Sequence, residues 1–152
     1  MAWLERLIEE SEHANRLRTD LEYFAETALK LRPKAGPLEP FKFNAAQKKL
    51  HGLLEEQKRK TGRIRCIVLK ARRQLGVSTY TAARLYHRTI HNPGLRTIII
   101  AHDRAASRNL YAIVKRFHDH MPEELKPSLV SATPRSWSSI ALTPATSLAS
   151  RA

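Results

Sequence analysis

The chain has 152 residues, 42% of them hydrophobic, which suits one domain with an ordinary core. Its 27 lysines and arginines stand against 14 acids, a formal net charge of +13 that favours phosphate-rich partners and disfavours acidic ones. The excess is uneven, with a net of +2 over residues 1–60 and +11 over residues 61–152.

The opening "MAWLERLIEE" is charged throughout and lacks the apolar centre of a leader. The most apolar run, "TIIIA", is too short to span a bilayer. A lone cysteine, Cys66, leaves no disulfide frame and no cysteine-built zinc site. A cytoplasmic protein with no membrane partner is expected.

Residues 1–40 read as a helical segment and linker. Leu21, Phe24, Ala25, Ala28 and Leu29 fall at i, i+3, i+4, i+7 and i+8, one apolar stripe of a helix, with Asp20 placed to cap it. "RPKAGPLEPFKF" then interrupts with three prolines and a glycine, so it reads as a connector. A second helix starts after Asn44, with Ala46, Leu50, Leu53 and Leu54 expected on one face and Thr61-Gly62 ending it.

From residue 63 the pattern changes. "RIRCIVLK" (63–70) is a β-branched run that predicts a strand, with Cys66 as a small buried hydrophobe. "VSTYTAARLYHRTIH" (77–91) predicts a helix with Ala82, Leu85 and Tyr86 near one face, and "NPG" a turn. "LRTIIIAH" (95–102) predicts a second strand, apolar on both faces and so buried under helices. Residues 103–121 predict a helix capped by Asp103, with Ala106, Leu110, Ile113 and Phe117 aligned. Strand, helix, strand, helix at this spacing predicts an α/β fold with a parallel sheet and flanking helices. Residues 128–152 are another matter: 17 of the 25 are Ser, Thr, Ala or Pro, with no acid and no lysine, a composition that predicts a disordered tail. The abrupt shift suggests a chain that has lost its natural continuation.

The chemistry-bearing stretch is "LKARRQLGVST" (69–79), between the first predicted strand and the following helix. In a phosphate loop, backbone amides of a tight turn and a helix N-terminus point at phosphate oxygens. Against the usual G-x-x-x-x-G-K-S/T, Gly76 takes the second glycine, Ser78 the Mg²⁺-binding hydroxyl, Ala71 the first glycine and Val77 the lysine. Lys70, Arg72 and Arg73 stand at the front of the loop and can supply the missing cation, Arg73 being preferred. Gln74, Leu75 and Thr79 complete the candidate loop. The alternative is that the three cations solvate the end of a strand.

Taken together, "FKFNAAQKKLH", "IVLKARRQLGVSTYTAARL" and "RTIIIAHDRAASRNLY" resemble the N-terminal P-loop ATPase domain of the large terminase subunit of tailed phages, over roughly residues 20–127. That family's loop places the basic residue at its front, then R-Q-x-G-x-S/T, which Arg73, Gln74, Gly76 and Ser78 match. An extra residue between Lys70 and Arg73 departs from the pattern and leaves open which cation takes the lysine's role. The resemblance implies ATP and Mg²⁺ as cofactors, Arg73 on the β- and γ-phosphates, and Gln47 as an adenine reader with Phe41 or Phe43 stacking on the base. Asn44 and Gln47 are also spaced as a capping box, the competing local account. As partners it implies double-stranded DNA, the small terminase subunit and the portal protein, with the host cytoplasm as location. On this reading residues 41–127 are a partial P-loop ATPase domain. They lack the family's later acidic motif and nuclease, so the chain reads as a truncated, inactive subunit.

Two rivals stand beside it. A helicase of the second superfamily would keep a lysine where Val77 sits. A small basic DNA-binding protein would use Arg84, Arg88, Arg104, Arg108, Lys115 and Arg116 on phosphates and ignore ATP. His87 and His91 lie at i, i+4 and could pair on a metal. No third ligand accompanies them, so they are expected to be exposed helix residues, as are His118 and His120.

Overall fold

The computed structural model describes residues 2–33, 36–69, 76–92, 94–100 and 103–127, and of residues 2–7 the backbone alone. Three of the helices, those that follow Asp20, Asn44 and Asp103, start where the sequence supplies a side-chain cap. α1 (Ala2–Thr19) gives way to α2 (Leu21–Ala28) at Asp20, whose carboxylate accepts from the amides of Glu22 and Tyr23 at 2.9 and 3.0 Å. The stripe Leu21, Phe24, Ala25 and Ala28 is buried as its spacing predicts, and Leu29 with it. A short antiparallel ladder joins the residues just before the proline-rich connector to the connector itself, β1 (Lys30–Leu31) with β2 (Glu39–Pro40). The Phe41 amide extends it by donating to the Leu29 carbonyl at 2.9 Å, which turns Phe41 and Phe43 back into the core.

α3 (Ala45–Thr61) opens with the full Asn44–Gln47 capping box and closes at Gly62, whose left-handed φ of 69° suits glycine. Its inward face carries Gln47, Leu50, His51 and Leu54. Leu53 and Ala46, expected on that face, are exposed. α4 (Val77–His91) and α5 (Arg104–Asp119, capped by Asp103) have nearly the predicted bounds. A single-turn 3₁₀ helix, Glu123–Leu125, follows. One apolar core runs from Leu17 to Met121 and is led by Phe24, Phe41, Tyr80 and Phe117. Phe41 stacks nearly parallel to Phe117 at 6.0 Å between centroids, and Tyr86 packs on the same ring at 6.4 Å.

The expected P-loop fold, a parallel sheet with flanking helices, is not what these residues form. Among the described residues the chain is mostly helical, and its sheet is the two-stranded antiparallel ladder alone. Residues 63–69 and 95–100 run without strand pairing. The reason is that a strand needs a neighbour to take its N–H and C=O groups, and none of the described segments lies there to do so. Near its start the first segment is tied to α3 instead. The Gln57 side chain accepts from the Arg65 amide at 2.9 Å and donates to the Arg65 carbonyl at 2.8 Å, while Thr61 donates to the Arg63 carbonyl. The burial expected of both segments fails with the pairing. Ile67 and Leu69 are 90% and 92% exposed, Ile98 and Ile100 77% and 88%, and Cys66 is exposed as well. Among the described residues no helix is long and apolar enough to cross a membrane.

Candidate functional site

α4 begins at Gly76, which holds a left-handed φ of 64°. Among the described residues no side chain caps this end, and its first turn carries no acid. The amides that start α4, with the hydroxyls of Ser78 and Thr79, therefore form an electropositive helix end. Lys70, Ala71, Arg72, Arg73, Gln74 and Leu75 lie outside the described residues, as does the tail at 128–152.

Among the described residues, Gln47 hydrogen-bonds Gly76. Its Nε2 donates to the Gly76 carbonyl at 2.9 Å, and its Oε1 accepts from the Asn44 amide at 2.9 Å. The Asn44 side chain in turn accepts from the Gln47 amide. Gly76 is required twice over. Its φ is costly for any other residue, and a Cβ there would lie 2.5 Å from Gln47 Nε2. Two positions singled out in the sequence, 29 residues apart, thus meet in space.

The contact is the first of a row. His51 Nδ1 lies 3.0 Å from the Tyr80 hydroxyl, and Arg84 Nη2 donates to Glu55 Oε1 at 2.6 Å, each pair again separated by 29 residues. α3 and α4 therefore run parallel, joined by three polar rungs at one-turn intervals. Arg84 Nη1 also donates to the Tyr80 hydroxyl at 3.0 Å and approaches His51 Nδ1 at 3.3 Å. A guanidinium only donates, so His51 Nδ1 is an acceptor and the imidazole is neutral. Burial, then the Arg84 charge, holds the His51 pKa below its ordinary value. Burial raises the Tyr80 pKa, and Arg84 works against it. Burial would raise the Glu55 carboxyl too, but the hydrogen bond and charge of Arg84 outweigh it and hold it low. Phe43 packs edge-on against both His51 and Tyr80 and closes the apolar side of the row.

Three of the histidines expected on the surface, His87, His91 and His118, are structural parts instead. His87 donates from Nε2 to the Leu17 carbonyl at 2.8 Å and packs with His91 against Phe24. Burial depresses the His87 pKa to about 4 and lowers that of His91. His118 is buried, with Nδ1 3.1 Å from the Tyr86 hydroxyl, while His120 is exposed. The signal in the sequence was the spacing Ala83, His87, Ile90, His91, which is the repeat of an inward helix face. Among the described residues no group of three or more His, Cys, Asp or Glu is placed to hold a metal.

No family model matches the chain, and no curated protein matches it.

Proposed function

We propose that Gly76 and the first turn of α4 hold the phosphates of ATP, in a protein of the large-terminase kind that acts on double-stranded DNA. The observation that carries this reading is the contact between Gln47 and Gly76, which holds the left-handed glycine in place at the acid-free start of a 15-residue helix. In this reading the Gly76–Thr79 stretch supplies amides, and Arg73 at the front of the loop neutralises the β- and γ-phosphates. The donor set for Mg²⁺ from α4 is one hydroxyl, Ser78. That fits an ion carried in on the nucleotide and poorly fits one bound by the protein alone. The small terminase subunit and the portal protein are the protein partners of this reading, and the host cytoplasm is its location.

Binding of a fluorescent ATP analogue tests it. Saturable binding to the wild-type chain, lost in Gly76→Ala and weakened at least tenfold in Arg73→Ala, is the expected result. Binding indifferent to both substitutions would remove the site.

The exposed arginines Arg88, Arg96, Arg104 and Arg108 favour a second reading, a DNA-phosphate surface that works without ATP. Its sign would be duplex binding that falls steeply with salt and is the same with and without ATP.

A further inference from the structure

We infer that Gln47 is a positioning residue for Gly76, where α4 begins, and that its amide does not select the base of a bound nucleotide. The second half rests on the nucleotide-binding reading above; the first half does not. To read an adenine edge, a glutamine must turn its acceptor and its donor together toward the base. Both ends of the Gln47 amide are already engaged with protein, Oε1 by the Asn44 amide and Nε2 by the Gly76 carbonyl. A second lone pair and a second N–H remain, but the residue is only 3% exposed. Turning outward would break the capping box of α3 and release the Gly76 carbonyl in one movement.

The same geometry says what the side chain does. The Gly76 carbonyl accepts twice, from Gln47 Nε2 and from the Tyr80 amide at 3.0 Å, the first hydrogen bond of α4. Gln47 therefore fixes the peptide on which α4 starts. The Gln47 amide occupies the side of Gly76 where any other residue would carry its Cβ. As the first of the three rungs between α3 and α4, it sets where the start of α4 lies relative to α3.

Amide hydrogen exchange on the nucleotide-free chain, joined to paired ATP and GTP titrations, tests both halves. Gln47→Met keeps the shape and removes both hydrogen bonds. Gln47→Glu keeps the acceptor for Asn44 and sets an oxygen against the Gly76 carbonyl. In both variants the Tyr80 amide is expected to exchange about tenfold faster, the size set by losing one hydrogen bond at a helix end. The amides of α2 and the second half of α5 should hold their rates. Asn44→Ala, which leaves the Gly76 contact in place, should change Tyr80 less. Unchanged Tyr80 exchange in Gln47→Met would overturn positioning, and so would a uniform rise across α2 and α5, which marks general destabilisation. Equal ATP and GTP affinity in the wild type, reduced equally in Gln47→Met, supports the second half. A wild-type preference for ATP of tenfold or more, erased in Gln47→Met, overturns it. If neither nucleotide binds the wild type, the nucleotide reading falls and with it the statement about base selection, while exchange still decides positioning.

Discussion

The helical body built from α2, α4 and α5 and the two extended segments at 63–69 and 95–100 are both rich in large apolar side chains, yet one buries them and the other does not. Phe24, Tyr80 and Phe117 are almost wholly buried, whereas Ile67, Leu69, Ile98 and Ile100 face outward. The difference lies in the backbone. A helix satisfies its own N–H and C=O groups and needs a neighbour only for one stripe of side chains. An extended segment needs a neighbour for its main chain first, and only then can its side chains be covered. Apolar composition is therefore no measure of burial until the pairing partner is known.

The sharpest way to break this contrast is in the body. Phe117→Ala removes a ring shared by Phe41 and Tyr86 and should cost about 3–5 kcal/mol, read as a lowered urea midpoint. A loss below about 1 kcal/mol would mean that the body is as loosely held as the segments.

Acid comes next. His87 is held neutral, with a folded pKa of about 4 against an ordinary 6.5. Below pH 6.5 the unfolded chain takes up a proton that the folded chain refuses, so stability is full above that pH and falls until pH reaches the folded value. The loss from this residue is on the order of 3 kcal/mol, and the lowered His51, His91 and His118 act in the same direction. Urea midpoints measured from pH 7 to pH 4 should fall, and His87→Gln should flatten the slope. A flat wild-type profile would contradict the buried neutral imidazole.

The smallest effect belongs to the segments. Ile67→Thr combined with Ile98→Thr should change unfolding stability by no more than about 0.5 kcal/mol, while light scattering shows less association at high concentration. A loss of several kcal/mol would place these side chains in a core.

What was legible in the sequence follows the same division. The caps at Asp20, Asn44 and Asp103 and the stop at Gly62 are local devices, and each marks a helix end in the structure. The apolar stripes of α2 and α4 were legible for the same reason. The strands were not, because β-branched composition states a preference and pairing is a fact about distant sequence. On α3 the face was misjudged by counting leucines. Leu53 is outside, while the polar Gln47 and His51 are turned inward because partners on α4 await them. The histidine pair on α4 reads from the sequence as exposed, although its spacing from Ala83 to His91 is that of an inward face. At the candidate site the meeting of Gln47 with Gly76 rests on tertiary contact, which spacing alone does not give.

The constant separation along the row from Gln47–Gly76 to Glu55–Arg84 has a consequence for which length changes the chain can absorb. Deleting one residue between 48 and 50 would swing the rest of α3 by about 100°. The two outer pairs would part together while the first stayed in place. Adding a residue at 66–69, between the two helices, would leave all three pairs in phase. Length changes should therefore be tolerated at 66–69 and rejected within the helices, whatever the identity of the residue gained or lost.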